Sequence, residues 1–291
     1  MKLEYISAKG DAFTLTENDW VYLIGVDGQT QGNANISSVV ISNIDGDTVN
    51  NMRANPRTVI LTLKVKNGVN VEEAKRAVTK VFKLKQNGSL LWTQNGRTIT
   101  IDGYIESIEM PRWEQSVAIQ ITLHCGQPFW EDIDYIVREL TGAINLHYFT
   151  DVVGDMLYFP EEGIPFGEYD FLRTKHFRNN GDVEVGLEIE IVAFSTVTNP
   201  IIYDGLGNFF GIGHGTAGKK VVMSIGDVIT ITTEKGNKTV FLNGETSLLD
   251  KIKPNSTWLQ LAVGDNSFTV SDDNDNVENM SFNLSYKQRY I

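Results

Sequence analysis

Short runs that alternate apolar and polar residues recur along this chain, and one stretch alone breaks the period. From Arg57 to Lys66, Val59, Leu61, Leu63 and Val65 fall on one face and Thr58, Ile60, Thr62 and Lys64 on the other. A two-residue period rich in β-branched side chains predicts a half-buried strand. Arg97 to Met110 repeats it with Ile99, Ile101, Gly103 and Ile105, and a bulge is expected near Gly103. Val117 to Cys125 is predicted to pair with that strand across a turn at Pro111 to Ser116, and Trp20 to Ile24 reads as another short strand. The exception is Asn70 to Lys85, where Val71, Ala74, Val78, Val81 and Phe82 recur at helical spacing. Asn70 with Glu73 suits a capping box, Glu72 lies four residues before Arg76, and basic residues gather in the last turn where the helix dipole favours them.

The second half repeats the strand pattern without a helix. Gly186 to Phe194 alternates Leu187, Ile189 and Ile191 with Glu188 and Glu190. Val228 to Glu245 reads as a hairpin turning at Lys235 to Asn237, followed by the strong turn signal Asn243-Gly244. Leu259 to Val270 reads as a second hairpin with Gly264 to Asn266 at its tip, and Met280 to Ile291 as one closing strand. Antiparallel strands at this spacing predict a sandwich. The fold class is therefore mainly β: an N-terminal β-rich domain with one α-helix at 70–85, spanning 1–137, then an antiparallel β-sandwich over 138–291.

At 291 residues the chain suits two domains. Its net charge of −12 argues against nucleic acid, whose phosphates need a basic surface, and against anionic membranes. The acidity is uneven. Up to residue 137 there are 13 Lys and Arg against 16 Asp and Glu; beyond it, 12 against 21. The single cysteine, Cys125, excludes an internal disulfide. No apolar run reaches the roughly 18 residues of a membrane span, and the first residues lack a signal peptide's apolar core. A soluble chain made in the cytoplasm is expected.

The search for chemistry yields no catalytic residue, no metal site and no cofactor. His124, His147, His176 and His214 form no HxxxH, HExxH or HxH pattern. His124 and Cys125 are neighbours in a strand and so point to opposite faces, which argues against a nucleophile pair. Gly205 to Gly218 holds six glycines, but no following helix signal would aim its amides at a phosphate. Asp272, Asp273, Asp275 and Glu278 lack the glycine and the bidentate glutamate at position twelve of a calcium loop and read as a solvated turn. Tyr158, Phe159, Phe166, Tyr169 and Phe171 either pack a loop or stack on sugar rings. Gly28 to Arg57 is polar and long for a loop inside a domain; contact with a partner is its expected role, with a mobile surface loop containing one short strand at Ser38 to Ser42 as the alternative.

Three features together resemble a family. They are IDGYIESIEMPRW (Ile101 to Trp113) leading to ITLHCGQPFWED (Ile121 to Asp132), the series GLEIEI, GDVITITTEKGNKTVFLNGE and LQLAVGDNSFTV, and the closing SFNLSYKQRYI. In this order they are similar to the distal tail proteins of long-tailed phages and prophages of Gram-positive bacteria. Cys125, Pro128, Phe129 and Trp130 resemble that family's junction between domains.

The resemblance implies a non-enzymatic, structural component of the tail tip or baseplate. Its N-terminal domain would form a hexameric ring, and its C-terminal domain would be a galectin-like sandwich. The implied partners are further copies of the chain, the tail tube protein, the tail hub and, in some relatives, a receptor-binding protein; the implied location is the virion tail tip. Trp113, Phe129 and Trp130 are aromatic anchors suited to an interface, with packing inside the domain as the alternative. A second reading of the whole chain is a carbohydrate-binding adhesion protein acting through the C-terminal sandwich.

Overall fold

Val59, Leu61 and Leu63 are fully buried while Thr58 on the same strand faces solvent, so the alternation is realised as burial. The computed structural model describes all residues except Gln31, Ile44, 111–117, 140–141, 145–167, 171–173 and 276–278. It divides into two units, Met1–Asp134 with Arg289–Ile291, and Tyr135–Gln288.

The first unit contains β1 (Lys2–Ser7), β2 (Ala12–Thr14), β3 (Val21–Asp27), β4 (Ala34–Val39), β5 (Thr48–Ala54) and β6 (Arg57–Val65). The helix α1 (Val71–Val81) follows, then β7 (Asn87–Gln94), β8 (Arg97–Glu109), β9 (Ala118–Cys125) and β10 (Trp130–Asp132). An antiparallel sheet runs β2-β1-β7-β8-β9-β6-β3, with β10 added to β8 and the strand Arg289–Tyr290 added to β10. β8 is long enough to serve two neighbours on one side: its Ile99 and Thr100 pair with β10, and its residues from Tyr104 onward pair with β9.

The helix buries Ala74, Val78 and Val81 against the sheet. Asn70 caps it by accepting from the Glu72 amide at 3.0 Å, and Glu72 pairs with Lys75 at 3.4 Å rather than with Arg76 as expected. The helix stops at Val81, four residues short of the expected Lys85. Phe82 adopts an extended backbone conformation there, and its buried ring stacks on Tyr5 at 4.4 Å and meets Phe13 edge-on at 5.7 Å. Continuing the helix would forgo that seat.

The β8 bulge falls between Ile105 and Ser107, not at Gly103. Gly103 serves another end: a Cβ there would lie 2.8 Å from the Cys125 sulfur, so the missing side chain lets two strands close over a buried thiol. β7 has too little alternation to stand out in the sequence. It joins β8 through Asn95-Gly96, both at positive φ, the type I′ turn that suits strand twist.

In the second unit, one sheet runs Ile136–Glu139, Met280–Tyr286, Glu188–Ala193, Val228–Thr232, Thr239–Leu242, Thr246–Ser247. The other runs Thr174–Asn179, Gly264–Ser271, Ile201–Asp204, Phe209–Gly211. Ile189, Ile191, Ile229 and Phe282 from the first share one core with Phe177, Ile202, Phe268 and Val270 from the second, which makes a sandwich. Asn243-Gly244 turns as expected, with both residues at positive φ.

Two expectations fail here. Gln260–Leu261 and Gly264–Ser271 pair with different strands, so Gly264 to Asn266 is no hairpin tip. The Asn266 side chain instead bonds both the amide and the carbonyl of Ala262 and folds the chain from one strand into the next. Met280 to Ile291 is likewise not one strand. It breaks after Tyr286, and Arg289–Ile291 belongs to the first unit rather than to a domain running 138–291.

Candidate functional site

Gly28 to Arg57 is not a loop with one strand at Ser38 to Ser42. It is a hairpin arm in which β4 pairs with β5 from Ala34↔Ala54 to Val39↔Thr48, with a shift after Ser37. Every residue of both strands is exposed, and among the described residues the two pair with no third strand. Ile36 opposes Met52, 57% and 68% exposed, and Val40 is 79% exposed. A lone two-stranded hairpin is marginal in water, and its free edges and apolar side chains are surface that another chain can cover.

The root of the arm is held tightly. Gly28 sits at φ 78, and a Cβ on it would meet the Thr58 carbonyl oxygen at 2.0 Å. The next carbonyl, of Gln29, accepts from Arg57 Nη1 at 2.7 Å and from Trp130 Nε1 at 3.0 Å. Arg57 is only 4% exposed, and burial lowers its pKa from the ordinary guanidinium value. Across the root, the Asn55 amide donates to the Asn33 carbonyl at 2.8 Å.

Of the aromatic residues expected at an interface, Trp130 is 1% exposed and packs edge-on against Trp92 at 5.9 Å within the first unit. Phe129 is half-buried, and Trp113 lies outside the described residues. Sequence reasoning did not find the Gln29 carbonyl or Arg57; a charged residue opening a strand at the end of a long polar stretch was the available signal.

β10 is pinned from its far side. Arg289 Nε donates to Glu131 at 2.7 Å, the Tyr290 hydroxyl donates to Asp132 at 2.9 Å, and Arg97 pairs with Asp132 at 3.0 Å while lying 4.0 Å above the Tyr290 ring. Burial, foremost, and the neighbouring Asp132 raise the Tyr290 pKa, so its hydroxyl stays a donor.

The remaining sequence candidates that fall on described residues are spread over both units. His124 is exposed and Cys125 fully buried on the opposite face; burial pushes the thiol up to about 11, leaving it protonated and unreactive. His176 is exposed and His214 half-buried, while His147 lies outside the described residues. Among the described residues no three His, Cys, Asp or Glu gather as a metal site. The glycine-rich run closes turns: Asp204 Oδ1 accepts from the Leu206 and Asn208 amides, and a Cβ on Gly213 would meet Asn199 Oδ1 at 2.0 Å. Asp272 is buried and accepts from the Thr198 and Asn274 amides. Tyr158, Phe159, Phe166, Phe171 and Glu278 lie outside the described residues, as does the side chain of Tyr169.

A helix-backed sheet bearing an exposed arm, followed by a sandwich, defines a mainly β chain with apolar surface open to contact. Residues 180–290 match the family model for the siphovirus-type tail component, C-terminal domain. The whole chain is Dit-like in fold. It is similar to the Dit protein (gp 19.1) of phage SPP1 with TM-score 0.67 and 10% identity over 99% of each chain. That protein is described as a paradigm of the hub adsorption apparatus in Gram-positive infecting phages. Chains of the phage P2 baseplate in its activated conformation, with calcium or strontium, align over 100% of this chain and 99% of theirs at 12% identity, with TM-scores 0.46 and 0.45. No curated protein matches.

Proposed function

We propose that this chain is a non-enzymatic structural component of a phage tail tip, one that closes into a ring, hexameric in the resemblance, between tail tube and tail hub. The matched tail component domain and the Dit-like fold support the tail assignment. The observation that carries the ring is the arm: a hairpin exposed along its whole length, with apolar residues on it and a rigid root beneath it. A closed ring needs two different patches per subunit, one reaching and one receiving, and the arm is the reaching one. Phe129, half-buried beside β10, is a second contact candidate. Neighbours along the tail axis would be the tube protein and the hub, and the place of action the virion tail tip.

Sedimentation velocity and electron microscopy of the full chain over a wide concentration range test this. Rings of defined subunit number are expected. Monomers at every concentration, with the fold intact, would overturn it.

A further inference from the structure

The three residues that return from the second unit lie beside the root of the arm. Arg289 and Tyr290 pair with Glu131 and Trp130 of β10, and the pairing is fixed by side chains: Arg289 on Glu131, Tyr290 on Asp132, Arg97 on both Asp132 and the Tyr290 ring. A Cβ placed on Gly32 would stand 3.4 Å from Cγ2 of Ile291, so that side chain reaches the first residues of the arm. From β10, Trp130 crosses to the Gln29 carbonyl, which Arg57 also holds.

Each link is short-ranged and directional. A strand held on both edges has one position; Trp130, clamped between Trp92 and the sheet, has one orientation; and its indole N–H then presents one donor to one carbonyl. The carbonyl is part-buried and takes two donors, so losing the indole N–H leaves it to Arg57 alone and frees the direction that Trp130 fixed.

We propose that Arg289, Tyr290 and Ile291 are positioning residues that set the direction of the hairpin arm through β10, Trp130 and the Gln29 carbonyl. The arm's own strand pairing leaves its angle to the body undetermined; the brace determines it. The arm's direction does not depend on ring formation, but the consequence for ring closure rests on the proposed function: an arm that samples many directions meets a neighbour's receiving surface less often.

The test is a distance measurement by pulsed electron–electron resonance on the full chain. Nitroxides are placed at Ser38→Cys on the arm and Lys80→Cys on α1, both exposed, with the buried Cys125 left in place and labelled chains diluted in unlabelled ones. A single narrow distribution is expected in the parent. It should roughly double in width in Arg289→Ala/Tyr290→Ala and in Trp130→Phe, which keeps an aromatic ring at the site, smaller than the indole, and deletes the donor. Tyr290→Phe, which deletes the bond to Asp132 but retains the ring over Arg97, should broaden less than Arg289→Ala/Tyr290→Ala. Leu3→Ala, which loosens the core on β1, a strand outside both labels and the brace, serves as the control. An unchanged distribution in Trp130→Phe, or equal broadening in Leu3→Ala at matched loss of Tm, would overturn the proposal. Sedimentation of the same samples reads the ring separately, so failure of one reading leaves the other standing.

Discussion

Replacing Ile36 and Met52 by threonine isolates what the arm contributes to association. The two residues face each other across the hairpin, so one patch is altered, and threonine retains the strand preference of the site. With 57% and 68% of their surface free, the two have between a half and about two thirds of their burial still to gain. Full burial of such a side chain contributes about 1.5–3 kcal/mol, so covering the pair contributes about 2 kcal/mol per contact beyond what threonine supplies, or roughly thirtyfold in affinity. The assay is sedimentation velocity across a dilution series, paired with thermal unfolding. The ring midpoint should move to higher concentration by at least that factor, while the unfolding free energy of the isolated chain stays within about 0.5 kcal/mol. An unchanged midpoint would refute the arm as the reaching surface. A fall in Tm would refute the premise that these side chains are free in the monomer.

Other expectations concern the units themselves. Phe82→Ala removes a buried ring stacked on Tyr5 and should cost about 3–5 kcal/mol by denaturant titration. Asn70→Ala deletes the cap on the Glu72 amide and should cost about 0.5–2 kcal/mol, with Asn70→Asp close to the parent. Cys125, raised from 9.0 to about 11, stays protonated in the folded chain where an unfolded chain would release its proton, so stability should fall as pH rises between those values. Alkylation rates followed by mass spectrometry check this: the thiol should react in denaturant and resist in the native state at pH 8.

The elements legible in the sequence are those whose side chains sort cleanly between core and water. β6, β8, β9, the helix and Glu188–Ala193 announce themselves because one face of each is buried. The arm does not, since both its faces meet solvent and no burial imposes a period on Asn, Ser and Thr. Its length and polarity marked it for contact, but its pairing was hidden. The brace was hidden for another reason: Gln29 acts through its backbone carbonyl, which any residue supplies, and Arg289 and Tyr290 look like the tail of a strand until the chain leaves one sheet for another. Trp130 shows the converse, an aromatic residue conspicuous enough to suggest an interface yet enclosed by its own unit.

The antiparallel pairing of Trp130 with Tyr290 sets the outgoing and homecoming strands side by side. In genetic terms the second unit is then an insert between Asp134 and Arg289, and the chain leaves for it just after Glu131, the residue that Arg289 pairs with on return. Such a junction accepts any cassette whose own ends lie close together, and a short bridge between Asp134 and Arg289 would excise the second unit without opening the first. A fragment cut after 137, by contrast, loses the homecoming strand.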